Sequence, residues 1–142
     1  VDETLDLGGR TVRLMGRLGH TPSDLVIEAD GVVFAGDLVW NGLFPNYTHA
    51  TPPALGEHVR ALRDRGADLW VSGHGELAEA DDMARYIDLL DHVGEAAMRA
   101  IEAGTPLEAA AAWYSVPESL GEWYMFSEQY PLVAFRAWER SL

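Results

Sequence analysis

The sequence has 142 residues, 48% of them hydrophobic, enough for one domain of ordinary size with a packed core. A formal charge of -13 repels phosphate-rich partners, so nucleic acid is not an expected ligand. No cysteine is present, which excludes disulfides, thiol catalysis and Cys-ligated zinc. Any metal must therefore be held by His and carboxylate, and the composition fits a cytoplasmic setting. The apolar runs are far shorter than a bilayer span, so no membrane partner is expected.

The first third reads as strands. Thr11 to Leu18 alternates loosely and stops at Gly19-His20. Asp24 to Ala29 is a short apolar run, and Asp30-Gly31 has the composition of a tight turn before Val32-Val33-Phe34-Ala35. Residues 24 to 36 therefore read as a hairpin whose second strand ends at Gly36-Asp37. A loop is expected from Leu38 to Ala50. Thr51-Pro52 then starts a helix with an N-cap and an early proline, burying Leu55, Val59 and Leu62 and ending at Gly66. Asp68 to Ser72 reads as a further buried strand that ends in Gly73-His74-Gly75.

Beyond that point the pattern turns helical. Met83, Ile87, Leu90, Ala97 and Ile101 share one helical face, with Glu79, Asp81 and Asp82 at the electrostatically favourable N-terminus. Thr105-Pro106-Leu107-Glu108 has the form of a capping box opening a short Ala-rich helix. A last helix from about Pro131 is expected to turn Leu132, Phe135 and Trp138 inward. The order of elements predicts an α/β or α+β layered fold: a mixed sheet with helices on one face and a helical tail. Residues 1–80 form the β/α part and residues 81–142 the helical part.

Three segments share one design, a strand ending in glycine plus a metal-competent side chain: Gly19-His20-Thr21, Gly36-Asp37-Leu38 and Gly73-His74-Gly75. Rigid strands position such ligands, while glycine permits close backbone approach. Two imidazoles and a carboxylate suit zinc, iron or manganese when thiolate is absent.

Leu18-Gly19-His20-Thr21-Pro22-Ser23-Asp24, Val33-Phe34-Ala35-Gly36-Asp37-Leu38-Val39 and Val71-Ser72-Gly73-His74-Gly75 resemble, in order and spacing, the last three metal-binding motifs of the metallo-β-lactamase superfamily. The resemblance is strong over roughly residues 10 to 80. It implies that His20 binds one metal, that Asp37 bridges two metals as in the glyoxalase II and ribonuclease Z branches, and that His74 binds the second. The family's first signature, His-x-His-x-Asp-His, has no counterpart here; the other histidines are His49, His58 and His92. The chain thus looks like the C-terminal half of the αβ/βα sandwich. One sheet face should then lack its cover, which predicts a homodimer or pairing with the missing N-terminal half.

The implied activity is that of a hydrolase with two zinc ions, generating hydroxide for attack on an ester, thioester, lactam or phosphodiester of a small-molecule substrate. The β-lactamase-like label carried by similar small proteins is a fold analogy and does not specify a β-lactam. A persulfide-dioxygenase-like oxidoreductase with one iron, and a non-catalytic truncated fragment, are the alternatives. Each ligand histidine needs an acceptor for its other ring N–H, and Asp24 is the candidate. Asn41, Tyr47 and His49 are candidates for substrate contact beyond Asp37. His58 and His92 are expected on solvated helix faces. The aromatic set Trp113, Tyr114, Trp123, Tyr124, Phe126, Tyr130 and Trp138 either lines a pocket or, more commonly for such a cluster, packs the tail onto the sheet.

Overall fold

A computed structural model of the chain describes residues 2–142. Five strands form one mixed sheet in the order β1 (Asp2–Asp6), β2 (Thr11–Arg17), β3 (Asp24–Ala29), β4 (Val32–Asn41) and β5 (Leu69–Gly75). The first four run as an antiparallel meander, and β5 lies parallel to β4. A parallel pair needs a crossover connection, which α1 (Pro52–Asp64) supplies. The remaining helices follow: α2 (Ala80–Glu102), α3 (Leu107–Trp113) and α4 (Tyr130–Arg140).

The β3–β4 turn is the one read from the sequence. Asp30 and Gly31 both adopt positive φ, 50° and 78°, as a two-residue hairpin with right-handed strand twist requires. Side chains alternate across the sheet, so cross-strand partners share a face. Met15 pairs with Val26, and Val33 with Trp70; all four are buried in the core that contains Leu55, Val59 and Leu62 of α1 and Met83, Ile87 and Leu90 of α2. The Trp70 indole donates to the Leu62 carbonyl at 3.1 Å, tying β5 to α1.

The opposite face is also apolar. Leu14, Ile27, Phe34 and Val71 form one cross-strand row, and Leu5, Val12, Ala29, Val32 and Leu69 form another. This face is open: Phe34 is 45% exposed and neighbouring Leu25 56%. An α/β half-sandwich with helices on one face is thus the architecture.

Several boundaries differ from the sequence reading. β1 precedes the first expected strand. β4 continues through Asp37 to Asn41, because register shifts at Phe34/Gly36 and Gly36/Trp40 let the strand bend and keep pairing with β5. Positive φ at Gly36, 54°, accompanies the first shift. Thr51 sits at the N-cap of α1 without a side-chain capping bond. The expected box at Thr105–Glu108 is absent, since α3 starts one residue later behind Pro106. A capping box forms instead between Glu79 and Asp82 at the start of α2. In α4 it is Pro131, Ala134, Phe135 and Ala137 that are buried; Leu132 and Trp138 are half-buried. The reason for Trp138 is visible on α2: its indole lies against Gly94, where a Cβ would stand 2.7 Å from Cζ2.

Candidate metal centre

The three glycine-linked residues converge at one end of the sheet. His20 follows β2 in a loop fixed at both sides: the Thr51 N–H donates to the Gly19 carbonyl at 2.8 Å, and the Gly19 N–H to the Thr21 carbonyl at 3.0 Å. A Cβ on Gly19 would stand 2.6 Å from Leu38 and 3.2 Å from the Leu55 backbone, so only glycine fits without displacement. Asp37 projects from β4 and His74 from β5.

The Asp37 carboxylate lies between the two imidazoles. Its Oδ2 is 3.6 Å from His20 Nε2 and its Oδ1 is 3.4 Å from His74 Nε2. Gly73 makes this possible, because a Cβ there would stand 2.0 Å from Asp37 Oδ1 and 2.8 Å from the Asp37 backbone nitrogen. His20 is the most enclosed of the three; the His74 and Asp37 side chains are 42% and 43% exposed.

Trp40 forms the floor. It is 4% exposed, its ring centroid is 4.1 Å from that of His74 and 5.8 Å from that of His20, and its indole N–H donates to the Asp37 carbonyl at 3.0 Å. Register explains the stacking, since Trp40 and His74 are paired residues of β4 and β5. Beneath the floor Tyr86 is buried, and burial drives its phenol far above the ordinary value.

The donor set fits divalent ions. Two ligand atoms each about 2.0–2.1 Å from one tetrahedral ion lie about 3.4 Å apart. Each His–Asp contact has about that spacing, so these side chains are compatible in type and distance with a divalent ion. Among the described residues no group of three or more His, Cys, Asp or Glu gathers around a single point, so each position has two protein donors here.

Other sequence candidates are placed differently. Asp24 does not serve His20: it accepts from the Thr21 N–H and hydroxyl at 3.0 and 2.7 Å, which rigidifies the loop. His20 Nδ1 is buried with no partner among the described residues. Asn41 is 8% exposed, and its amide donates to the Glu76 and Leu77 carbonyls at 3.2 Å each. Tyr47 is 1% exposed, packed near Phe44, and burial raises its phenol well above the usual range. His49 is exposed on the loop after Asn46. His58 is half-buried, its Nδ1 2.5 Å from the Leu18 carbonyl, and so clips α1 to the end of β2. His92 is likewise half-buried rather than solvated, with Nδ1 3.0 Å from the Tyr114 hydroxyl.

Of the aromatic set named from the sequence, Phe126 is the member that reaches the site. Phe126 meets Trp40 and His74 edge-on at 6.2 and 6.3 Å, although 52 residues separate it from His74 in the chain. Tyr114, Trp123, Tyr130 and Trp138 pack against the core as expected for a tail on a sheet, whereas Trp113 and Tyr124 are 89% and 62% exposed.

A mixed-sheet half-sandwich with helices on one face is shared with solved structures of the metallo-β-lactamase fold. Over 99% of its length the chain superimposes, at TM-score 0.79 and 19% identity, on 25% of the inverting sec-alkylsulfatase Pisa1 from Pseudomonas sp.. A metallo-β-lactamase family protein from Thermus thermophilus matches 96% of the chain and 45% of its own length, at TM-score 0.65 and 19% identity. A metallo-β-lactamase from Pontibacter korlensis matches 64% of the chain and 46% of its own, at TM-score 0.58 and 22% identity. The chain therefore has the metallo-β-lactamase fold, spanning a quarter of the alkylsulfatase and just under half of the other two. No family model and no curated protein sequence matches it. No helix among the described residues is long and apolar enough to cross a membrane.

Proposed function

We propose that the intact protein is a metal-dependent hydrolase of the metallo-β-lactamase superfamily, and that this chain contributes His20, Asp37 and His74 to a centre of two zinc ions. The observation that carries the reading is the Asp37 carboxylate, which presents one oxygen to each imidazole. The single iron of a persulfide-dioxygenase-like oxidoreductase would draw on the His20 and Asp37 pair alone, whereas the second contact, between Asp37 and His74, favours a second ion. Bound zinc lowers the pKa of water towards neutrality and polarises the bond to be cut, here of an ester, thioester or lactam type.

The chain's own residues hold that chemistry in place. Asp37 would hold metal together with the two histidines, its carboxylate shared between them. His20 and His74 each direct Nε2 at the carboxylate edge, and Trp40 packs against the His74 ring. The remaining ligands belong to the part of the fold outside this chain, which supplies the His-x-His-x-Asp-His signature and covers the open sheet face. The substrate is a small molecule and the setting cytoplasmic, in keeping with a chain that has no cysteine.

Elemental analysis tests the reading, on this chain and on a version extended upstream through that signature. The extended protein is expected to hold close to two zinc ions, this chain few, and Asp37→Ala in the extended protein should lose both. One iron per protein would move the assignment to the dioxygenase. No metal in the extended protein would make the three residues relics and remove the enzyme.

A further inference from the structure

The tail returns to the metal centre. Between the 3-10 turn Glu118–Leu120 and α4 the chain runs extended past the end of β4: the Tyr124 N–H donates to the Gly42 carbonyl at 2.9 Å, and the Phe44 N–H to the Tyr124 carbonyl at 2.8 Å. Leu43 and Tyr124 are bridge partners, and the Leu43 side chain lies against Gly75, next to His74. Extended backbone alternates its side chains. Trp123 and Met125 turn into the core, and Tyr124 and Phe126 turn outward.

Those two outward rings stand beside the ligands. Phe126 is 54% exposed while its edge meets His74 and Trp40, and Tyr124 is 62% exposed and perpendicular to Phe126 at 5.0 Å. Phe44, Tyr47 and Phe135, by contrast, are buried. Tyr124 also walls a surface groove of about 900 Å³ that continues along Tyr114, Val116, Trp123 and Met125, with Glu118 and Glu122 on its polar side. Apolar surface therefore begins at a metal ligand and runs outward along the tail.

We infer that Phe126 and Tyr124 are the specificity-determining surface of the site and receive the apolar alkyl or aryl group attached to the scissile bond. This rests on the hydrolase reading and adds the substrate class: hydrolysable compounds with an extended apolar arm, in preference to small polar ones. Tyr124, held by its backbone bonds, and Phe126, wedged against Trp40, His74 and Tyr124, desolvate such an arm without losing much rotamer freedom of their own. The arm lies over Phe126 and follows Tyr124 into the groove.

The test compares octanoyl and acetyl p-nitrophenyl esters on the zinc-loaded protein containing this chain and its upstream half. The octanoyl-to-acetyl ratio of kcat/KM is expected to exceed one by about tenfold, the contribution of a few partly buried methylenes. Phe126→Ala and Tyr124→Ala should each pull the ratio down severalfold, while Phe126→Leu keeps most of it. A variant that merely loosened the metal site would lower both esters together, so an unchanged ratio in both alanine variants overturns the inference. Calorimetry with octanoate and acetate provides a readout independent of turnover. If the protein hydrolyses neither ester, the hydrolase reading fails; weaker octanoate binding by Phe126→Ala would still uphold the apolar surface, and equal binding of the two acids by the unsubstituted protein would end it.

Discussion

At the residue scale the centre depends on atoms that are missing. Gly73 leaves room for Asp37 Oδ1, and no rotamer relieves a Cβ placed 2.0 Å away when the neighbouring backbone is also within 2.8 Å. Gly73→Ala should displace the carboxylate and reduce metal content of the extended protein by about tenfold or more, the scale seen when the support of a ligand is lost. Elemental analysis reads this, and full occupancy would show that the cradle is not needed. Asn41 shows the converse, a polar group whose two bonds close the end of β4 onto the chain after β5. Asn41→Leu leaves the Glu76 and Leu77 carbonyls without their donor and should cost about 1–3 kcal/mol, seen as a lower midpoint in urea. An unchanged midpoint would mean that water replaces the amide, leaving the residue available for the substrate contact expected from the sequence.

At the element scale the helices are held to the sheet by packing plus a few polar ties. Arg65, just past the end of α1, binds Glu28 on β3. The hydrogen bond from Arg65 is the main reason that the Glu28 carboxyl lies below its ordinary value of 4.5; the Arg65 and Arg13 charges add to it. A carboxyl with a lowered folded-state pKa stabilises the fold above its unfolded value, and that stabilisation disappears as pH falls through the folded one. Arg65→Met should therefore cost about 1 kcal/mol near neutrality, because the pair is largely but not fully shielded. The difference from the unsubstituted chain should fade well below pH 4.5. Urea midpoints at the two pH values check the sign, and a cost that grows on acidification would contradict it.

At the scale of the whole molecule, the open sheet face dominates. Its rows of Leu, Val, Ile and Phe have the composition of a core without a second layer, and contiguous exposed apolar surface favours association. The isolated chain is expected to self-associate, and Leu25→Glu with Phe34→Glu should shift it towards monomer in sedimentation velocity. Both positions are exposed on the open face, so the charges leave the helix-covered core intact. A monodisperse monomer before substitution would sink this expectation. In the extended protein the same face should be buried, and the double substitution should then destabilise the fold.

The sequence by itself determined the local order of elements and the ligand types. Alternation and the Asp30-Gly31 turn located the hairpin, helical periodicity located α1 and α2, and three glycine-linked motifs singled out His20, Asp37 and His74. These are short-range signals, carried by neighbours within a few residues. Strand ends and caps were less legible: β4 outlasts its apolar run because pairing with β5 sustains it, and the Thr105 box lost to Pro106. Only the tertiary structure decided that Asp37 gives one oxygen to each histidine, because that depends on the register of β4 against β5 and on the space above Gly73. It also decided that Asp24 serves Thr21, that Asn41 and Tyr47 face inward, and that Phe126 reaches His74 from the far end of the chain. Such contacts join residues whose separation along the backbone leaves no local pattern, so they follow from packing and not from periodicity.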